Sequence, residues 1–338
     1  MKVAVVILNW NGAHYMEQFL PILQKHTPAS LATIIVADNG STDNSISLLK
    51  EKFKEIRLIQ FDQNYGFAGG YNRALAQIEA DYYVILNSDV EVTEGWLSPM
   101  IDYLEHHPDV VACQPKVLSY NNRNYFEHAG AAGGFMDYLG YPFCRGRILS
   151  HLEEDKGQYD TISDVFWATG ACLVIRAKTF HQVGGFDAAF FAHMEEIDLC
   201  WRLRNRNHRI VCIPQSKIYH VGGGTLQAEH PQKTYLNFRN NLLMLYKNLH
   251  PSELSPVLTI RFFMDYLAAF QLLITGKPKN ARAVLKARIA YRKMRPRFKQ
   301  RRLANLQSAI NPHIPEITSK SIIVNYYLKG RRRFVDLW

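Results

Sequence analysis

Val3-Ala4-Val5-Val6-Ile7-Leu8-Asn9-Trp10-Asn11-Gly12 opens with an apolar, β-branched run that stops at an amide and a turn. An apolar run bounded by turn residues is the pattern of a strand buried on both faces. The unit recurs along the first quarter of the chain. Thr33–Ala37 stops at Asp38-Asn39-Gly40-Ser41, Ile56–Phe61 reads as a third strand, and Tyr82–Leu86 stops at Asn87-Ser88-Asp89. Between these runs, His14–Lys25 and Phe67–Ile78 have helical spacing, and Thr42 or Asp43 can cap a helix reaching about Lys54. Strands alternating with short helices predict a parallel sheet with crossover helices. Ligands bind beyond the carboxyl ends of the strands in such sheets. Asn9, Asp38 and Asp89 are therefore expected on one edge.

The middle of the chain is less regular. Val110–Leu118 and Ala171–Ile175 read as strands, and Glu195–Arg206 as a helix. Ile210–Ile213 and Lys217–Tyr219 read as two short strands. Tyr120–Asp160, rich in Gly, Asn and charge, reads as a long loop or small insertion of the kind that often carries specificity. After about Pro231 the character becomes helical, with Tyr235–Leu249, Pro256–Thr275 and Asn280–Met294. A boundary near residue 235 divides the chain into 1–235 and a mainly helical, basic region, 236–338.

The chain has 338 residues, 47% apolar and 21% charged, a composition that supports a large core. Its formal charge of +10 is unevenly placed. Lys277–Trp338 holds 17 Lys/Arg against Glu316 and Asp336, leaving the preceding 276 residues slightly acidic. Such a tail points to an anionic partner: membrane headgroups, nucleic acid or a phosphorylated substrate. The five cysteines, Cys113, Cys144, Cys172, Cys200 and Cys212, form no CxxC pair, so neither a disulfide framework nor a zinc knuckle is indicated. Neither GxxxxGK[ST] nor GxGxxG occurs, which argues against a P-loop or dinucleotide site. Val257–Ile274 is the longest greasy stretch, but Arg261, Asp265 and Gln271 make it a poor bilayer span. A reducing, cytoplasmic setting is expected.

Four segments can carry chemistry. Asn87-Ser88-Asp89 delivers an amide and a carboxylate to the sheet edge, and a hard divalent cation needs only one or two carboxylates plus substrate phosphates. The same residues also suit a plain polar turn. Glu195-Glu196-Ile197-Asp198 crowds three carboxylates, which raise one another's pKa and suit a general base; they equally complement a helix N-terminus. His220 ends a strand before Gly222-Gly223-Gly224-Thr225, where backbone can approach phosphate. Asp38 can accept from a nucleotide base or ribose, or simply form an Asx turn.

These segments, in order, resemble the family-two inverting glycosyltransferases of the GT-A fold. Val5–Gly12, Asp38-Asn39-Gly40-Ser41-Thr42-Asp43, Asn64-Tyr65-Gly66-Phe67-Ala68-Gly69-Gly70 and Leu86-Asn87-Ser88-Asp89 carry the likeness. Gly184-Gly185-Phe186-Asp187, Phe190-Phe191, Glu195–Arg202 and His220 continue it to about residue 245. The nearest branch is rhamnosyltransferase-like. The resemblance implies an α/β fold, a Rossmann-like mixed sheet with a parallel N-terminal half, followed by the C-terminal helical region. It also implies transfer of a sugar from a nucleotide-diphosphate donor, such as dTDP-rhamnose or a UDP-sugar, to a hydroxyl of a glycan or polyprenyl-diphosphate-linked acceptor in cell-surface polysaccharide synthesis. By matching position, Asp89 and His220 hold Mg²⁺ or Mn²⁺, and Asn9, Asp38, Asn39, Gly69, Asn72 and Asn87 line the donor site. Glu196 is the base, with Glu195 and Asp198 as alternates. Asn87 stands where many members have a first Asp.

Ile260, Phe263, Leu267, Phe270 and Ile274 recur at helical spacing, a stripe that usually marks core. Beside the cationic run from Arg288 to Arg302 it also suits peripheral binding to an anionic membrane through residues 257–302, at the inner face of the cell membrane. Competing readings are a sugar nucleotidyltransferase, which would need a charged glycine-rich loop where Asn9-Trp10-Asn11-Gly12 stands, an inactive relative that only binds glycans, and a non-enzymatic protein that binds anionic surfaces through its tail. No specific nucleic-acid motif accompanies the charge.

Overall fold

The computed structural model describes residues 1–222, 230–311 and 313–337. The first third is strictly alternating: β1 (Val3–Asn9), α1 (Ala13–His26), β2 (Thr33–Asp38), α2 (Ser45–Lys52), β3 (Arg57–Gln60), α3 (Gly66–Leu75) and β4 (Tyr82–Leu86). β1 lies between β2 and β4, and all the pairings, with β3 beyond β2, are parallel. Val5, Val6, Val84 and Ile85 are fully buried because helices cover both faces of these strands. Their side chains alternate between two separate cores. Ala4, Val6 and Ile85 face one, and Val3, Val5, Ile7, Val84 and Leu86 the other.

Register fixes the edge that matters. Asn9 lies opposite Asp38, and Ile7 opposite Leu86, so the carboxyl ends of β1, β2 and β4 finish level. The sheet then turns mixed. Cys172–Arg176 runs antiparallel to β4 and to β6 (Val110–Ser119), and Arg209–His220 runs parallel to β6. The two short strands expected at 210–219 are one strand, with a register irregularity between Ile213 and Lys217 that explains the break in pattern. β5 (Val90–Val92) pairs antiparallel with its end, setting Val90 opposite His220. α4 (Ser98–His106) covers the outer face.

Within Tyr120–Asp160, read above as loop or insertion, a second small sheet forms from Gly134–Asp137, Pro142–Cys144, Arg147–Ile148 and His151–Leu152. Strands of two to four residues are too short for an alternating signal. Ile317–Thr318, from the far end of the chain, lies parallel beside Gly134–Asp137.

After α5 (Ala177–Gln182) and α6 (Glu195–Asn205) come α7 (Pro231–Asn248), α8 (Pro251–Ile274), α9 (Pro278–Met294) and α10 (Lys299–Ser308). Residue 235 falls inside α7, which starts at a proline suited to the first helical turn. The basic region folds back on the body. Arg301 and Lys247 pair with Asp187 at 2.7 and 2.9 Å, and Arg204 pairs with Glu316 at 2.5 Å. α8 is, by length and composition alone, apolar enough to cross a membrane. Its Arg261 and Asp265 point inward, buried and paired. All five cysteines are buried and free.

Candidate active site

Three groups of side chains meet the carboxyl edge. The first is at the ends of β1 and β2. Asn9 Nδ2 donates to Asp38 Oδ1 at 3.0 Å and to Ser41 Oγ at 3.3 Å, and the Ser41 N–H donates to Asp38 Oδ2 at 2.9 Å. Asn9 and Asp38 are fully buried. Asn9 Oδ1 is buried without a partner, and a Cβ on Gly12 would come within 2.5 Å of it, so Gly12 keeps that corner open. Asn39 works differently. Its amide donates to Asn64 Oδ1 (3.0 Å) and Gly66 O (3.2 Å) and accepts from the Tyr65 N–H (3.0 Å). It clamps the loop that opens α3.

The second group lies beyond β4. His220 Nε2 is 3.1 Å from Asp89 Oδ1 and 3.5 Å from Asn87 Nδ2. On its other side, His220 Nδ1 lies 3.2 Å from Glu127 Oε2. All three ionisable side chains are nearly buried. Burial alone would lower the imidazole pKa, but the Asp89 and Glu127 carboxylates override it and push it up to about 10. Glu127 was not foreseen, because it lies in the stretch read as loop and carries no motif. Gly222 takes a positive φ of 74°, and a Cβ there would come within 2.9 Å of Glu127 Oε1. Gly223, Gly224 and Thr225, singled out above, lie outside the described residues.

The third group is the turn into α6. Phe191, His193 and Met194 all take positive φ, 68°, 69° and 72°, a region that costs a non-glycine residue about 1–3 kcal/mol and clusters at functional sites. The turn is held from two sides. The Ala68 N–H donates to Phe191 O at 3.2 Å, tying it to α3. From α7, Asn240 Nδ2 lies 2.9, 2.8 and 2.7 Å from the carbonyl oxygens of Phe190, Ala192 and His193. The strained turn delivers Glu195 and Glu196 at the start of α6. Each has an Oε2 that is buried without a partner. Burial pushes the Glu196 carboxyl up to about 7, near the pH at which a general base works best. Glu195 is raised further by burial and by its neighbour Glu196. Lys233, in the first turn of α7, lies within electrostatic reach of both His193 and Glu127.

Three expected site residues are otherwise engaged. Asp198 accepts from Arg202 (3.0 Å), Lys247 (2.7 Å) and Asn248 (2.9 Å) and is fully buried. Burial opposes its ionisation, but Lys247 and Arg202 hold its pKa below the usual carboxylate value. An ionised carboxylate with no exposed surface, neutralised by two buried cations, is a brace between α6 and α7 that an acceptor hydroxyl cannot reach, which corrects its place among the candidate bases. Asn72 donates to Phe186 O at 2.7 Å and accepts from Phe186 N at 3.0 Å, which fastens α3 to the Gly184-Gly185 turn and uses its amide away from a ligand. Gly69 allows close packing: a Cβ there would meet Tyr65 at 3.3 Å.

Among the described residues, no three His, Cys, Asp or Glu side chains are arranged to hold a metal ion by themselves. Asp89 and His220 would fit a divalent cation that displaces the Nε2 proton held between them and takes its remaining ligands from phosphate oxygens. Glu127 on the far imidazole nitrogen is the supporting carboxylate such histidine ligands usually have.

The comparisons agree with this architecture. The model of the family described as Glycosyl transferase family 2 matches residues 4–184. An N-acetylglucosaminyl-diphospho-decaprenol L-rhamnosyltransferase of Mycobacterium tuberculosis is 26% identical over 231 residues, covering 64% of this chain and 75% of the relative. Among solved structures, the mannosyltransferase PcManGT of Pyrobaculum calidifontis, in complex with GDP-Man and Mn²⁺, superposes with a TM-score of 0.52 at 15% identity, covering 92% of this chain and 86% of that one. S. aureus TarS 1–349 in complex with UDP-GlcNAc gives a TM-score of 0.54 at 16% identity, covering 98% and 93%. With the family model spanning the parallel sheet and the strand edge that Asn9, Asp38 and Asp89 share, the chain belongs to glycosyl transferase family 2 and is a glycosyltransferase of the GT-A fold.

Proposed function

We propose that this chain is an inverting, metal-dependent transferase that moves a sugar from a nucleotide-diphosphate donor to a hydroxyl of a glycan carried on a polyprenyl diphosphate. In this reading the protein is cytoplasmic and works at the inner face of the cell membrane in cell-surface polysaccharide synthesis. Residues 1–235 supply the chemistry, and 236–338 brace it and face the membrane. The observation that carries the reading is the buried Asp89–His220 contact at the carboxyl edge together with a Glu196 carboxyl, raised to about 7, whose Oε2 is buried without a partner. The rhamnosyl-transferring relative favours a rhamnosyl donor and a diphospho-lipid acceptor.

Each residue then has a task. Asp38, oriented by Asn9 and Ser41, accepts from the nucleotide's base or ribose. Asp89 and His220 would hold Mg²⁺ or Mn²⁺ against the diphosphate, with Asn87 beside them. When bound, the cation neutralises charge on the departing nucleoside diphosphate. Glu196 takes the proton of the acceptor hydroxyl as its oxygen bonds to the anomeric carbon and the bond from that carbon to the diphosphate oxygen breaks. Attack opposite the leaving group inverts the anomeric centre and needs no covalent enzyme intermediate.

The test is transfer from a panel of dTDP-, UDP- and GDP-sugars to a short-chain N-acetylglucosaminyl-diphospho-lipid, with Mg²⁺, Mn²⁺ or EDTA. The expected product carries the sugar in inverted configuration and disappears with EDTA or in Glu196→Gln. Formation of a nucleotide sugar from a sugar phosphate, or equal transfer by Glu196→Gln, would overturn the proposal.

A further inference from the structure

The stripe Ile260, Phe263, Leu267, Phe270 and Ile274 is not core. Phe263, Leu267, Phe270 and Ile274 are 67%, 60%, 59% and 66% exposed, and Leu273 beside them is 55% exposed. An exposed row of large apolar residues along a helix of 24 residues is far more than scattered surface hydrophobes. Beyond the first turn, the charged residues of the same helix, Arg261 and Asp265, are turned inward. Arg261 donates to Leu139 O (2.9 Å) and Asn241 Oδ1 (2.5 Å), while Asp265 accepts from Arg261 (3.3 Å) and Arg288 (2.5 Å). The fold thus uses ion pairs to seat the inner face of α8 and leaves an apolar face outward.

Charge identifies what meets that face. On α9, packed alongside, Arg282, Lys286 and Lys293 are exposed and interleave with exposed Leu285 and Ile289 at helical spacing. Across residues 251–302 the acids are Glu253 and the buried Asp265, against twelve Lys/Arg from Lys277 onward. A groove of about 360 Å³ between the helices is lined by Tyr266, Phe270, Leu273 and Leu285, with Arg282 among its walls. An apolar row flanked by cations matches the interface of an anionic bilayer, where apolar side chains reach the acyl boundary and cations meet phosphates. The hairpin also has a direction. Asn280, in the first turn of α9, donates to Thr234 Oγ1 at 2.8 Å, one residue from Lys233 at the cleft.

We infer that the α8–α9 hairpin docks the protein in the plane of an anionic membrane, with its tip beside the active-site cleft, so that a lipid-carried acceptor reaches Glu196 from the bilayer surface. The purpose of the docking rests on the lipid-linked reading of the acceptor; the docking itself does not.

Flotation of the full-length protein with phosphatidylglycerol or phosphatidylcholine vesicles tests it. The wild type is expected to float with the anionic vesicles and much less with the neutral ones. Phe263→Glu/Leu267→Glu/Phe270→Glu, at exposed positions, should lose at least roughly tenfold in partitioning at unchanged melting temperature. Lys279→Glu/Arg282→Glu/Lys286→Glu should lose roughly fivefold or more per replaced cation on anionic vesicles only. Four results would overturn the inference: no flotation of the wild type, flotation of both triple variants equal to that of the wild type, resistance of the bound protein to alkaline carbonate (a spanning helix), or a wild-type dimer that the apolar-face variant dissociates without any change in lipid binding (a second copy on that face). Vesicle binding without sugar transfer would sink the transferase reading and leave the docking standing. Transfer to a soluble acceptor without vesicle binding would do the reverse.

Discussion

Asn240→Ala removes one amide from the middle of α7, yet it should damage both stability and catalysis. That amide lies within hydrogen-bond distance of the carbonyls of Phe190, Ala192 and His193. Arg239 still reaches Phe190 O at 2.9 Å, so the variant strands two carbonyls, those of Ala192 and His193. A buried polar group that loses its partner costs about 1–3 kcal/mol, giving a total of about 2–4 kcal/mol after partial hydration. For a chain of this size that corresponds to a fall in Tm of about 3–6 °C. The catalytic loss has a different origin. The backbone of Phe191, His193 and Met194 is held at positive φ against its own preference. With the clamp gone the turn relaxes and Glu196 moves with it, and a displacement of about 1 Å costs on the order of 10²-fold in rate. Differential scanning fluorimetry and steady-state transfer rates measure the two effects. Adding Met194→Gly should return about 1 kcal/mol, because glycine tolerates the left-handed backbone, without restoring kcat. A destabilised Asn240→Ala enzyme with wild-type kcat would show that the turn does not position the base, and an unchanged Tm would show that the clamp carries no energy.

Other outcomes follow from the same contacts. Glu196→Gln should lose about 10²–10⁴-fold in kcat and abolish the acid limb of the rate profile, which in the wild type should rise with pH through about 7 as the carboxylate ionises. The same raised pKa makes Glu196 a stability cost when charged. Its stabilising contribution is complete below about pH 4.5 and lost as pH rises through about 7, so Glu196→Gln should melt higher than the wild type at pH 8. Asp198 has the opposite sign. Its pKa is lowered, so its contribution is present above about pH 4 and lost as the pH falls below that, and Lys247→Met should cost about 3–5 kcal/mol in thermal or urea unfolding by breaking a buried pair. Glu127→Gln should weaken Mn²⁺ binding, read by titration calorimetry with a nucleoside diphosphate present, by roughly 10–100-fold while leaving nucleotide contacts at Asp38 intact.

The parallel half of the sheet was legible because helices cover both its faces, which forces uninterrupted apolar runs with polar stops at Asn9, Asp38 and Asn87. Those stops mark the carboxyl edge without any knowledge of packing. The small sheet around Gly134–Asp137 was not legible, since two-residue strands leave no period to read and its partner Ile317–Thr318 is remote in sequence. The same distance hid Glu127 and Lys247, whose roles arise only when a loop or a later helix is laid against His220 or Asp198. Asn240-Asn241 did leave a trace, two poor helix formers in mid-helix, which is where a local preference yields to a tertiary contact. The apolar stripe of α8 shows the limit of periodicity. Spacing gives the face of a helix but not whether protein or lipid covers it, and only the inward pairing of Arg261 and Asp265 decides the orientation.

The measurement that bears most directly on the chemistry is the anomalous difference density of a crystal soaked with Mn²⁺ and dTDP or UDP. The expected result is a manganese peak in coordination contact with Asp89 and His220, the diphosphate on that peak, and the nucleoside against Asp38, with Glu196 bound to none of them. A nucleotide bound away from the carboxyl ends of β1 and β2, or manganese bound with Asp89 and His220 still paired to each other, would contradict it.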